Sequence, residues 1–134
     1  RIIALGGRVR LVKGAYREPA SVAYTRKSEV DAAYARMLHS LIREGQHPAF
    51  ATHDEAMIRA TKAYAEQKGT HRKDFEFQML YGIRRDLQDS LVKEGYPVRV
   101  YIPYGTEWYP YLTRRMAERP ANLWFFLSNL VRMR

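Results

Sequence analysis

The chain has 134 residues, of which 46% are hydrophobic and 28% are charged, and this composition is typical of a single globular domain spanning residues 1–134. An intrinsically disordered chain is excluded, and no run approaches the roughly 18 to 20 apolar residues that a membrane-spanning helix needs. The lack of cysteine excludes disulfides, thiolate metal sites and thiol nucleophiles, and it is compatible with a cytoplasmic location. The net charge of +9 predicts attraction to phosphates, carboxylates or anionic membrane surfaces without choosing among them.

Strand-like apolar runs occur four times, and a helical pattern follows each of them. The predicted order is therefore βαβαβαβα, which implies a parallel sheet with right-handed crossovers. The predicted strands are residues 9–16, 48–54, 75–82 and 98–105.

The helices are predicted from apolar residues at helical spacing. The first runs through Val30 and Ile42, and Ser28 with Asp31 predicts a start that resembles a capping box. The second is predicted at about 54–68, the third carries apolar residues at steps of four, and segment 106–134 is predicted to hold two helical pieces. The glycines expected to end the first three helices are Gly45, Gly69 and Gly95.

The two faces of the predicted strands differ in polarity. Phe75, Phe77 and Met79 share one face, whereas Glu76 and Gln78 lie on the other. A doubly wound sheet covered on both sides would show nearly continuous apolar strands, so this alternation favours a barrel. Since a complete eight-stranded barrel needs about 250 residues, four βα units predict the second half of one.

A first candidate site lies on the last predicted helical segment. Tyr111, Arg114, Arg115 and Glu118 recur at steps of three and four, which brings them to one face. Two arginines offer bidentate donors to a carboxylate or phosphate, and a carboxylate one turn later can hold one of them. A solvated basic helix face remains the alternative.

The end of the first strand is a second candidate. Arg10 and Lys13 place positive charge on an apolar strand, which is costly unless an anionic or electron-rich group meets it. Gly14 and Ala15 would let a flat ring approach the backbone, and Tyr16 could close over it. The alternative pairs Arg10 with an inward carboxylate such as Glu76.

The second strand ends in Thr52, His53 and Asp54, where parallel α/β proteins place ligand-binding groups. His47 and His53 stand at opposite ends of that strand, so a metal site is not predicted. The chain lacks the GxSxG, P-loop and GxGxxG motifs of hydrolases, NTPases and Rossmann domains. Its basic residues are spread over every helix, so nucleic acid is not a predicted partner.

Five motifs occur in order along the chain: VRLVKGAY at 9–16, ATHD at 51–54, FEFQMLYG at 75–82, YIPYG at 101–105 and YLTRRMAE at 111–118. Together they resemble the flavin-dependent proline dehydrogenase family, in its monofunctional bacterial form. The resemblance implies a distorted (βα)8 barrel that binds FAD and oxidises L-proline to Δ1-pyrroline-5-carboxylate, passing electrons to a quinone. Hydride would leave proline C5 for flavin N5.

Matching the motifs by position gives each residue an expected role. The catalytic residues are expected to be Arg10, near flavin N5, and Tyr16, in the wall of the proline pocket. Residues expected to contact substrate are Leu80, Tyr101, Tyr111, Arg114, Arg115 and Glu118. Residues expected to contact FAD are Arg10, Val12, Lys13, Gly14, Ala15, Thr25, Lys27, Thr52, His53 and Gln78.

The resemblance also implies partners and a location. The other half of the barrel, L-proline and a quinone are expected to bind the chain, in the cytoplasm and with peripheral contact at the inner membrane face allowed. A rival hypothesis from another class is a complete small basic α/β module that binds nucleic acid or an acidic partner. Flavin absorbance and salt-dependent DNA retention would discriminate between the two hypotheses.

Overall fold

A computed structural model describes residues 1–13, 18–102 and 104–106 of the chain. Within them, four strands form one parallel sheet in the order β1-β2-β3-β4, and helices connect the strands. The predicted alternation of strands and helices is confirmed as far as β4, and segment 107–134 lies outside the described residues. The elements are β1 (Arg10–Val12), α1 (Lys27–Glu44), β2 (Ala49–Ala51), α2 (Glu55–Gln67), β3 (Glu76–Leu80), α3 (Arg85–Lys93) and β4 (Val98–Tyr101), with short 3-10 turns at Ile3–Leu5 and Arg72–Asp74.

The strands are shorter than the apolar runs predicted. At the end of β2, the Thr52 hydroxyl accepts a hydrogen bond from the Asp54 backbone N–H at 3.0 Å, which turns the chain toward α2. Asp54 then caps α2, because its carboxylate accepts from the Ala56 N–H at 2.9 Å. Strand β2 therefore ends at Ala51, before the end of the predicted run at residue 54, because these side-chain hydrogen bonds begin the turn into α2.

The start of α1 differs from the prediction. Helix α1 begins at Lys27, with Arg26 at the N-cap, and the Glu29 carboxylate accepts from the Arg26 N–H at 3.3 Å. The predicted capping pair of Ser28 and Asp31 is wrong, because Asp31 is instead bound by Lys13 and Lys27. The Asp31 carboxylate, which the local sequence pattern assigned to the helix cap, forms a long-range ion pair with Lys13 instead.

The predicted helix-ending glycines are confirmed. Gly45 follows α1, and a Cβ there would lie 2.5 Å from the Leu41 carbonyl oxygen, so only glycine fits. Gly69 and Gly95 follow the C-caps of α2 and α3 with φ values of 67° and 83°, in the left-handed region that favours glycine.

The hydrophobic core packs between one face of the sheet and the helices. Strand register puts Leu11, Phe50, Phe77 and Val98 in one row across the sheet. Phe75 packs edge-to-face on both Phe50 and Phe77, with ring centroids 5.8 and 5.7 Å apart. The helices contribute Tyr34, Leu38, Leu41 and Ile42 from α1, Ile58 and Ala65 from α2, and Leu91 from α3.

The opposite face of the sheet, called the polar face below, carries different residues. Two alanines, Ala49 and Ala51, lie on β2 between the larger side chains of β1 and β3. The contrast that the sequence predicted between the two faces is therefore confirmed. In register, the rows of the polar face are Arg10, Ala49 and Glu76, then Val12, Ala51, Gln78 and Arg99, then Leu80 and Tyr101.

Candidate functional site

Lys13 fastens the carboxyl end of β1 to two helices. Its Nζ lies 2.6 Å from Asp54 Oδ2 at the start of α2, and it also contacts Asp31 in α1. Burial alone would lower the pKa of Lys13, but its hydrogen bonds to the two carboxylates raise it. Hydrogen bonds from Lys13 and Lys27 lower the pKa of Asp31. The Lys13 ammonium is thus fully charged and already engaged by two anions.

The end of β2 is tied to β3 by His53. Its Nε2 accepts a hydrogen bond from the Leu80 backbone N–H at 2.8 Å. An accepting Nε2 carries no proton, so this bond selects an imidazole whose proton is on Nδ1. Thr52 is buried beside it and holds the Asp54 N–H. Both residues predicted to contact FAD here lie at the carboxyl edge of the sheet.

Glu76 is the most buried ionised group of the polar face, with 7% of its surface exposed. Arg99 donates to both of its carboxylate oxygens, from Nε at 2.8 Å and from a terminal nitrogen at 2.9 Å. Gln78 Nε2 donates to the same carboxylate at 2.6 Å. The Arg99 hydrogen bonds, with help from Gln78, lower the pKa of Glu76 to about 2 despite its burial.

The suggested pairing of Arg10 with Glu76 is wrong. Arg10 and Glu76 lie in the same row of the sheet, but β2, which carries Ala49 in that row, separates their strands. The Glu76 carboxylate is paired instead with Arg99 on β4, the strand next to β3. The ion pair between Arg99 and Glu76 was not predicted. The signal was the place of Arg99 on the face opposite Val98 and Val100, yet its partner became evident only from the register of β3 and β4.

The remaining described site residues fall into two groups. Arg10, Val12, Leu80 and Tyr101 lie on the polar face, where Val12 and Tyr101 are about half exposed. Thr25 and Lys27 lie instead at the start of α1 and are exposed, and Lys27 pairs with Asp31. Asp31 connects Lys27 to Lys13, so the second group reaches the end of β1 through one carboxylate.

Seven predicted site residues lie outside the described part of the chain, and their placement stays a prediction. They are Gly14, Ala15, Tyr16, Tyr111, Arg114, Arg115 and Glu118.

Neither a metal site nor a membrane-spanning helix is found among the residues that the structure describes. No group of three or more His, Asp or Glu side chains there could hold a metal ion. No helix in that part is long and apolar enough to cross a membrane.

A separate depression lies at the opposite end of the sheet, where β2 and β3 begin. Its lining includes His47, Pro48, Thr70 and Asp74. None of the predicted site residues lines it. Parallel α/β folds place ligand-binding groups at the carboxyl ends of strands, so the polar face and the ends of β1, β2 and β3 form the candidate site.

Known proteins resemble the chain over most of its length. The family model for proline dehydrogenase matches residues 6–127. Proline dehydrogenase 2 of Bacillus subtilis (strain 168) is 49% identical over 124 residues, covering 92% of this chain and 41% of that protein. The proline dehydrogenase of Deinococcus radiodurans is 49% identical over 124 residues, covering 92% of this chain and 40% of that protein. The chain thus spans about two fifths of the length of these relatives.

Solved structures agree with the sequence comparison. Proline utilization A (PutA) from Bdellovibrio bacteriovorus, inactivated by N-propargylglycine, matches with a TM-score of 0.68 and 35% identity over 74% of this chain and 12% of that one. PutA from Bradyrhizobium japonicum matches with a TM-score of 0.68 and 29% identity, over 81% and 13% of the two chains. These likenesses confirm the predicted fold class, α/β with parallel βα repeats as found in part of a TIM-like barrel. Because the family model spans every described strand and helix from β1 to β4, the chain belongs to the proline dehydrogenase family.

Proposed function

We propose that this chain forms part of an enzyme that oxidises L-proline to Δ1-pyrroline-5-carboxylate with FAD. The observation that carries the proposal is the 49% identity, over 92% of the chain, to a protein named proline dehydrogenase. Since the chain spans only 41% of that relative, the activity is proposed for the whole protein to which these residues contribute.

The polar face fits a flat cofactor. The small side chains of Ala49 and Ala51 form a shallow surface on β2, between Arg10 on β1 and Gln78 on β3. A flat ring needs such an apolar floor with a few polar groups at its rim. When bound, FAD would accept at N5 the hydride that leaves proline C5. The residues proposed to hold it are Arg10, Val12, Lys13, Gly14, Ala15, Thr25, Lys27, Thr52, His53 and Gln78.

The structure limits how Lys13 could contribute. Two of the donors on its ammonium are directed at Asp31 and Asp54, so it offers FAD its backbone or one remaining N–H. Its main effect would be to hold the end of β1 against the two helices. Lys13 is therefore proposed to act chiefly as a positioning residue.

The proline substrate would be oriented by residues of β3 and β4 and by residues outside the described ranges. Leu80 and Tyr101 are partners in register on β3 and β4, which supports their proposed role as neighbouring walls of the proline pocket. Arg114 and Arg115 are proposed to bind the proline carboxylate, with Glu118 holding one of them. Tyr16 and Tyr111 would complete the walls. Fixing the proline ring in this way supplies the orientation on which hydride transfer depends.

Three wider parts of the proposal concern partners. A second half-barrel would cover the polar face, a quinone would take the electrons, and the protein would work in the cytoplasm with peripheral contact at the inner membrane face allowed. Each follows from the family resemblance. The exposed Val12 and Tyr101 at the two edges of the sheet support the first of them.

A basic module that binds nucleic acid is the alternative, and the net charge of +9 favours it. Many cations of the described residues are already neutralised by carboxylates. Lys62 pairs with Glu94, Arg59 with Glu55, and Arg99 with Glu76. These pairs spread the positive charge without reducing the net charge, which already counts the carboxylates. The enzyme is preferred because of the 49% identity to a protein named proline dehydrogenase.

The test is to purify the whole protein and measure L-proline-dependent reduction of an artificial electron acceptor, with DNA retention at rising salt measured in parallel. We expect bound flavin and proline-dependent dye reduction. A colourless protein that binds DNA in a salt-dependent way would overturn the enzyme proposal in favour of the alternative.

A further inference from the structure

The polar face contains a hydrogen-bonded cluster of Glu76, Gln78 and Arg99, in which the proposed function gives no role to Glu76 or Arg99. Glu76 receives three hydrogen bonds, two from Arg99 at 2.8 and 2.9 Å and one from Gln78 Nε2 at 2.6 Å. The three residues lie on adjacent strands, with Gln78 and Arg99 in register. Only Gln78 is among the residues proposed to contact FAD.

The chemistry of Glu76 fixes which end of the Gln78 amide faces it. An ionised carboxylate can only accept hydrogen bonds, so the amide must present its NH2 group to Glu76 rather than its carbonyl oxygen. The Arg99 hydrogen bonds keep the pKa of Glu76 at about 2, so the carboxylate is ionised at neutral pH. The orientation of the amide is therefore set by charge and does not depend on small differences in geometry.

The carbonyl oxygen of Gln78 is then the end of the amide that a ligand can use. Within the described ranges no donor is hydrogen-bonded to this oxygen, whereas the amide nitrogen is engaged. Gln78 lies on β3 next to the floor formed by Ala51, its partner in register on β2. A ligand on that floor would meet a hydrogen-bond acceptor at this side chain.

We propose that Glu76 is a positioning residue that orients the Gln78 amide so that its carbonyl oxygen accepts a hydrogen bond from FAD. This inference rests on the proposed function, because it takes FAD to be the ligand of the polar face. Arg99 serves the same end indirectly by keeping Glu76 charged and fixed. A glutamine without this carboxylate could rotate its amide and offer its NH2 group to the ligand instead.

The experiment is a double-mutant cycle in the whole protein, measured as the dissociation constant of FAD from the apo-protein by fluorescence titration. The variants are Glu76→Gln, Gln78→Met and the two combined. Glu76→Gln should weaken FAD binding by about fivefold to tenfold, the cost of one hydrogen bond, and Gln78→Met by a similar factor. In the Gln78→Met background, Glu76→Gln should have no further effect.

A merely structural role for Glu76 predicts a different result, in which the two effects multiply in the double variant. That outcome, or an unchanged dissociation constant in Glu76→Gln, would overturn the inference. Glu94→Gln is the matched control, because it removes a carboxylate paired with Lys62 away from the polar face and should leave FAD binding unchanged.

A second variant tests the polarity while keeping one carboxylate in the cluster. The exchanged variant, Glu76→Gln combined with Gln78→Glu, retains only acceptor oxygens at position 78 and avoids two adjacent carboxylates, so it should bind FAD more tightly than Glu76→Gln combined with Gln78→Met. Weaker binding by the exchanged variant would show that FAD meets the amide donor and would contradict the inference. If the unmodified protein bound no FAD at all, the proposed function itself would fail, which distinguishes the two failures.

Discussion

At the scale of single residues, Lys13 has the best-defined structural role in the candidate site. Its ammonium joins Asp31 of α1 and Asp54 of α2, and only 20% of its side chain is exposed. Removing one partner from a partly buried ionic cluster costs more than removing an exposed pair, because charges remain that water cannot fully solvate. The end of β1 should therefore depend on this lysine for its stability.

We expect Lys13→Met to lower the free energy of unfolding by about 1 to 3 kcal/mol, since both aspartates lose their shared partner. Urea unfolding followed by circular dichroism provides the measurement. Arg43→Met is the control, because Arg43 and its partner Glu44 are both more than half exposed, and it should cost less than about 0.5 kcal/mol. Equal effects of the two substitutions would contradict the role given to Lys13.

Glu76 should make the free energy of unfolding depend on pH at acidic pH values. The pKa of Glu76 is lowered from 4.5 to about 2, so its stabilising contribution is fully present above 4.5 and is lost as pH falls toward 2. In Glu76→Gln, the part of the acid destabilisation that falls in this window should disappear. Midpoints of thermal unfolding measured across the window test this, and parallel curves for the two proteins would be inconsistent with it.

Arg114 and Arg115 carry the substrate side of the proposal. Replacing either with Met in the whole enzyme should raise the KM for L-proline strongly, since removing a charged hydrogen bond from a desolvated pocket costs on the order of 2 to 5 kcal/mol. Steady-state kinetics with varied proline would show the change. An unaltered KM in both variants would remove these residues from the carboxylate site.

At the scale of elements, the sequence was sufficient where a local pattern decides the structure. The alternation of Phe77 and Gln78 predicted which face of β3 joins the core, and Gly45 predicted the end of α1, because both depend on neighbours along the chain. The start of α1 was wrong for the opposite reason. Asp31 binds Lys13, which is 18 positions away in sequence, and no local rule predicts that pair.

The polar cluster shows the same limit of local patterns. Glu76 and Arg99 were each visible as polar residues on otherwise apolar strands, but only the pairing of Gln78 with Arg99 across β3 and β4 shows that the arginine meets Glu76. Register depends on how strands pair in three dimensions. Gly14 and Tyr16 lie outside the described residues, so their roles stay predictions.

At the scale of the whole molecule, the sheet has a covered face and a polar one. Helices α1, α2 and α3 all contribute to the core on the face that carries Phe50 and Phe77, while Arg10, Gln78 and the other polar residues lie on the polar face. The outer strands β1 and β4 leave edges that could pair with further strands. Closing a barrel would cover both the edges and the polar face.

A complementary half-barrel should therefore bind these 134 residues. Alone, we expect the chain to bind FAD weakly, to lack activity, and to aggregate or associate, because the polar face and both edges need a covering layer. With a complementary half-barrel supplied on a second polypeptide, the two should associate and recover proline-dependent dye reduction. Full turnover by the isolated chain as a monomer would show that it is a complete domain.

Electron transfer from L-proline to FAD is the step on which the whole proposal depends. It can be observed in an anaerobic titration of the purified whole protein with L-proline, following the visible absorption of oxidised flavin. We expect bound flavin whose absorption is bleached by proline in a saturable way. A protein that contains no flavin after reconstitution with FAD, or flavin that stays oxidised at saturating proline, would contradict the proposal.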